Sequence, residues 1–131
     1  MLGLTIILLC AMLAGCAGKA PDFQMPSQVE GSWNGKESRT LSIESAPEPA
    51  RALGLVRVLR TDYEGTPTVR ATVYEMKAET GAFELMQKWR REPGTLSFHR
   101  SRFLVVVESP SGDVSVLNRF ARAFERLLPE H

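Results

Sequence analysis

The stretch Leu104-Val105-Val106-Val107 narrows the folds open to this chain more than any other. Successive residues of a β-strand point to opposite faces, so a strand covered on one face alternates apolar with polar. This run is apolar at every position. Either it is central and something lies over its second face, or that second face is a docking patch. Within the chain, the nearest cover is the segment around Trp33, Leu41 and Ile43. A partner protein or a second copy is the alternative.

The residues around this strand set its context. Leu55 to Tyr63 alternates, as does Thr68 to Met76, and Glu64-Gly65-Thr66-Pro67 supplies a turn between them, which reads as a β-hairpin. From Ala78 to Arg91 the spacing becomes helical, with Ala82, Leu85, Met86 and Trp89 on one stripe and Pro93-Gly94 as the stop. Leu96 to His99 and Arg102 to Glu108 form a second hairpin across Arg100-Ser101, a pair without the usual turn glycine. Asp113 or Ser115 caps a last helix, whose apolar face comprises Val114, Leu117, Phe120, Ala121, Phe124, Leu127 and Leu128. The expected architecture is an α+β two-layer sandwich in β-β-α-β-β-α order, with a largely antiparallel sheet and two helices on one face.

The chain has 131 residues, enough for one domain with an appendage. A formal net charge of +1 excludes the strong basic field of a nucleic-acid binder. At the N-terminus, Leu2 to Ala14 is apolar except for Thr5. A membrane span needs roughly 20 apolar residues and the apolar part of a signal peptide about 7–15. The run closes on Leu13-Ala14-Gly15-Cys16, which resembles the lipobox of bacterial lipoproteins at all four positions. The resemblance implies diacylglycerol on the Cys16 thiol and cleavage just before it. It also implies a cell-envelope protein held at the membrane by its N-terminal lipid. No Lys or Arg precedes the apolar run, so the terminal amine stands alone as the basic region. Ala17 follows the cysteine, where an aspartate in Gram-negative lipoproteins resembles an inner-membrane retention signal. An outer-membrane location facing the periplasm is therefore expected in a Gram-negative cell. The one other cysteine, Cys10, would leave with the signal, so the mature domain keeps no thiol for a disulfide, a metal or a nucleophile.

These readings divide the chain into a lipoprotein signal peptide (1–15), a flexible tether (16–30), an N-terminal extension with a short strand and a helical turn (31–54), and the α+β domain (55–131). Val73-Tyr74-Glu75-Met76, Ala82-Phe83, Arg90, Leu96-x-Phe98 and Arg102-Phe103-x-Val105 resemble a domain of unknown function found in bacterial exported proteins and lipoproteins. Members often carry glycine where this chain has Glu84 and Ser101. That resemblance supports the fold and export and implies no chemistry.

Candidate chemistry is sparse. His99 is the one histidine before the terminal His131; as a general base it would need Glu108 or Asp62, and no nucleophile stands out beside it. It should face away from Phe98, solvated or lightly packed. No ligand spacing for a metal and no glycine-rich phosphate loop is present, so neither cofactor nor metal is expected. Lys88, Arg90 and Arg91, then Arg100 and Arg102, then Arg119, Arg122 and Arg126 gather as cationic groups that read as solvated faces. The expected function is a non-catalytic binding or scaffolding module, with a protein partner possible, no nucleic acid, and the homo-oligomeric state open. Its candidate interaction patch is Tyr74, Met76, His99, Leu104 and Val106. The alternative is a carrier or chaperone-like domain holding a hydrophobic ligand in a cavity lined by Phe83, Met86, Trp89, Phe103, Phe120 and Phe124; an enzyme ranks last.

Overall fold

The computed structural model describes residues 22–130. The expected signal peptide and the candidate lipidation site Cys16 lie outside these residues.

Six strands form one antiparallel sheet: β1 (Gln28–Val29), β2 (Trp33–Leu41), β3 (Leu55–Glu64), β4 (Val69–Met76), β5 (Thr95–Arg100) and β6 (Phe103–Glu108). Their spatial order is β1-β2-β3-β4-β6-β5. Three α-helices are added, α1 (Glu48–Ala52), α2 (Glu79–Lys88) and α3 (Val114–Glu125), with a single 3₁₀ turn at Ile43–Ser45 ahead of α1. The order is thus β1-β2-α1-β3-β4-α2-β5-β6-α3 and not the simpler β-β-α-β-β-α expected from the sequence.

The two main helices lie on opposite faces of the sheet, which corrects the two-layer expectation. On one face α3 brings Leu117, Phe120, Ala121 and Phe124 onto Leu59 and Tyr63 of β3, Val69, Ala71 and Val73 of β4, and Phe103, Val105 and Val107 of β6. On the other, Ala82 and Leu85 of α2 and Ala50 of α1 cover Val58, Tyr74, Met76 and Leu104. The physical reason is the opening run: Phe103, Val105 and Val107 point one way, Leu104 and Val106 the other. Each large apolar side chain taken out of water contributes about 1.5–3 kcal/mol, so leaving either row open would forfeit a large part of the stability of a small domain. The segment expected to close the second face is divided between the two. Trp33 packs on the α3 side, Leu41 on the α2 side, and Ile43 is exposed.

The α3-side core is built on aromatic edges. Trp33 meets Phe120 edge-on at 5.2 Å and Tyr63 meets the same ring at 5.3 Å. The buried polar tips are satisfied: Trp33 Nε1 donates to the Pro67 carbonyl at 3.0 Å and the Tyr63 hydroxyl to the Pro26 carbonyl at 2.8 Å. Burial pushes the Tyr63 phenol pKa well up. Residues read as tether take part as well. Phe23 is buried against Phe103 with ring centroids 5.1 Å apart, Val29 is fully buried, and Arg57 donates to the Phe23 carbonyl at 2.6 Å. Those few apolar side chains lack a period, which is why the sequence does not separate them from a linker.

Helix ends follow local rules. Asp113 caps α3, its carboxylate accepting from the Ser115 hydroxyl and the Ser115 and Val116 amides, which lowers its pKa. Val114 and Leu127, assigned to the apolar face from their spacing, are 65% and 47% exposed; Val114 is the first residue of α3 and Leu127 lies past its last one. In α2 the expected helix over 78–91 ends at Lys88, and Trp89 turns to extended backbone. The hairpin turn is Ser101-Arg102, with Ser101 at φ +52° in the position a glycine would occupy without strain.

Gly81 sits inside α2 where a Cβ would come within 2.7 Å of the Leu53 carbonyl oxygen. Glycine in a helix ordinarily costs about 1 kcal/mol relative to alanine. Here the close approach of α2 to the α1–β3 connection reverses the sign. Gly81→Ala is expected to lose about 1–3 kcal/mol of stability by forcing the helix outward, as measured by urea denaturation.

Candidate functional site

The α2 side of the sheet is covered over only part of its length. Residues paired across the strands form rows. The row Val58, Tyr74, Leu104 and His99 lies under or beside α2. The next row toward the far end is Arg39, Arg60, Thr72, Val106 and Ser97, and the one after it is Lys36, Asp62, Arg70, Glu108 and Thr95. These two rows floor a groove on the open half of the sheet.

Its better-formed part has a volume of about 490 Å³, with Thr72, Val106 and Arg60 as floor. Its walls are lined by Trp89, whose ring meets Tyr74 at 5.0 Å, and by Pro47 and Pro49. Trp89 reaches this place because the chain leaves helical geometry there. A continued helix would carry its ring along the α2 stripe. Burial raises the Tyr74 phenol pKa, with Arg60 opposing and Glu108 adding to the shift. A second cleft of about 720 Å³ continues past Glu92, Thr95 and Glu108 to Gly112.

Charge is unevenly balanced along this surface. At the far end Arg70 holds Asp62 at 2.8 Å and Glu108 at 3.8 Å, and its pKa is raised chiefly by the Asp62 hydrogen bond. Nearer the aromatic wall, Arg60 donates to the Thr72 hydroxyl at 3.1 Å and stands directly across from Arg39. Like charges opposite each other on neighbouring strands repel. Among the described residues no carboxylate forms an ion pair with Arg39, Arg60, Lys88 or Arg90. The walls are therefore apolar and aromatic, the floor sets Val106 beside Thr72 and Arg60, and Lys88, Arg90, Glu92 and Glu108 complete the lining.

The patch expected from the sequence is only partly here. Met76 and Leu104 are completely buried and Tyr74 nearly so, because α2 covers them; they are core and not surface. Val106 remains half-buried in the groove floor. His99 does face away from Phe98, yet it is half-buried and meets the exposed Phe83 ring at 5.6 Å. Neither Asp62 nor Glu108 shares its row, and both are held by Arg70. The six residues assigned to one ligand cavity are dispersed. Phe103, Phe120 and Phe124 are core on the α3 side, Met86 and Trp89 lie on the α2 side, and Phe83 is exposed. Of the basic groups, Arg119 pairs with Glu30 at 3.2 Å and lies over Trp33, while Arg100 pairs with Glu130 at 3.0 Å. The groove itself is built from Pro47, Pro49, Arg60, Thr72 and Trp89, which belong to separate segments; of these only Trp89 was named from the sequence, on the helical stripe and in the alternative ligand cavity.

Among the described residues no group of histidine, cysteine or carboxylate side chains is placed to hold a metal, and no helix is long and apolar enough to cross a membrane. Comparisons with protein-family models, with curated proteins and with solved structures find no match.

The chain has two tryptophans with opposite environments: Trp33 is fully buried and Trp89 borders the groove. Acrylamide is expected to quench one of two fluorescence classes, and Trp89→Phe to remove that class while leaving Trp33 emission shielded.

Proposed function

We propose that this is an exported, lipid-anchored envelope protein whose α/β domain acts as a non-catalytic binding module. The open half of its sheet would engage a segment of a protein partner. The observation that carries the binding reading is the half-covered sheet face, where the Trp89–Tyr74 wall and Val106 adjoin Arg60, Lys88 and Arg90, none of them held in an ion pair among the described residues, with Glu92 and Glu108 farther along the same lining. Such a surface matches a segment presenting an apolar side chain next to a carboxylate. Apolar area supplies affinity there, and the cations supply orientation and faster encounter.

The anchor rests on Leu13-Ala14-Gly15-Cys16. Diacylation supplies two acyl chains, and stable membrane attachment generally takes two such signals. Among the described residues the first buried side chain is Phe23. Phe23 is seven residues past Cys16, and at about 3.3–3.6 Å per residue that length of chain reaches at most about 25 Å. The domain would thus work close to the membrane surface. A two-layer sandwich with both helices on one face is not retained in this reading, because α2 and α3 pack on opposite faces of the sheet.

Two experiments test the proposal separately. Cys16→Ser in a bacterial host is expected to abolish incorporation of labelled fatty acid and to release the protein from the membrane fraction; unchanged membrane association would remove the anchor. A photo-crosslinker at Lys88, on the groove rim, is expected to capture a defined protein in cells. Trp89→Ala should cut that capture about tenfold at a temperature where the protein remains folded, even though its melting point falls with the lost packing on Tyr74. Equal capture by the Trp89→Ala protein would remove the groove.

A further inference from the structure

The two edges of the sheet are treated differently. At one end β1 has only two residues, a short edge of the kind that discourages pairing with another chain. At the other, β5 has six, Thr95-Leu96-Ser97-Phe98-His99-Arg100, with no proline, lysine or bulge. Every one of them remains partly exposed although α2 and α3 flank the strand on its two faces.

The phase of the hydrogen bonding tells which groups are free. The Ser109 amide donates to the Gly94 carbonyl and the Met76 amide to the Arg102 carbonyl. With the β5–β6 register, Gly94, Leu96, Phe98 and Arg100 are thereby directed inward to β6. Thr95, Ser97 and His99 direct their amides and carbonyls outward. The Thr95 amide turns back to the Glu92 carbonyl at 3.2 Å. Among the described residues the amides of Ser97 and His99 and the carbonyls of Thr95, Ser97 and His99 have no partner.

We infer that β5 is a self-association edge, and that a second copy of this chain pairs with it antiparallel about a two-fold axis at Ser97. In that register Ser97 faces Ser97 of the second copy, Thr95 faces His99, and Leu96 faces Phe98. The two Ser97 amides donate to the two Ser97 carbonyls, and each His99 amide donates to a Thr95 carbonyl. The occupied Thr95 amide is asked for nothing. On the α3 side, half-buried Leu96 and Phe98 close over one another. On the α2 side, Phe83, 50% exposed and packed on His99, extends the apolar rim. Arg100 falls opposite Gly94, so no like charges oppose each other. A two-fold interface must be self-complementary, and this edge meets that condition in backbone phase, apolar pairing and charge. Paired residues of antiparallel strands share a face, so the joined sheet keeps both α3 faces, and both Phe23 segments, on one side. That geometry lets two anchored chains sit on one membrane; this last point alone rests on the lipid-anchor reading.

The test is the mass of the full chain in detergent by analytical ultracentrifugation across a range of concentrations. Two copies per particle are expected. Ser97→Lys and Ser97→Asp each place like charges on the axis, and each alone is expected to raise the dissociation constant about tenfold. An equimolar mixture of the two variants is expected to restore the dimer. A single-copy mass at all concentrations, or a dimer unaffected by either variant, would overturn the proposal. So would a mixture that stays monomeric, or pairing of β5 with a strand of a different protein only. Should neither variant fold, hydrogen exchange on the wild-type chain decides. The Ser97 and His99 amides should become protected as concentration rises, and concentration-independent exchange would sink the interface. None of these readouts depends on the groove or on fatty-acid incorporation.

Discussion

The structure depends on one constraint: β4 and β6 lie next to each other inside the sheet, and each presents apolar side chains to both of its faces. Of β4, Val69, Ala71 and Val73 point to α3 while Tyr74 and Met76 point to α2, and β6 repeats the division. Two rows of apolar side chains on opposite sides cannot be buried by a single layer of helices. The chain therefore places α2 over one face and α3 over the other. The two edges of this pair then belong to strands of mixed character, β3 with β2 on one side and β5 on the other.

That constraint also generates the surfaces that look functional. α2 has ten residues and covers only the end of the sheet where Met76 and Leu104 lie. The other end of the same face is left to Thr72, Val106 and the arginines, and the release of Trp89 from the helix gives this region an aromatic wall. On the opposite face the longer α3, helped by Phe23 and Trp33, closes the core without leaving an opening of similar character. The asymmetry between the faces follows from helix length, and binding capacity follows the asymmetry.

Much of the strand and helix content was legible because it depends on local period. The hairpin of β3 and β4, the helical stripe of α2 and the cap at Asp113 all follow from neighbours in sequence. What was not legible depends on partners far apart in the chain. Phe23 meets Phe103 across 80 residues, and nothing local marks Phe23 as core. The alternation of Tyr74 and Met76 fits a strand packed under a helix as well as a surface patch, and the position of α2 decides for the first. Trp89 fits the helical stripe, yet the helix ends one residue before it. The groove was illegible for the same reason: its residues come from the α1 region, β3, β4, α2 and β6.

By itself, then, the sequence determined the pieces: an apolar run closing on a lipobox-like Cys16, alternating strands, amphipathic helices, and a strand that must be covered twice. It did so because side-chain period and turn chemistry are local properties of the chain. Only the tertiary structure decided which helix covers which face, which end of the sheet stays open, and which strand ends as an unpaired edge. Those outcomes depend on competition between distant segments for the same apolar surface. Spacing along the chain carries no record of which segment wins.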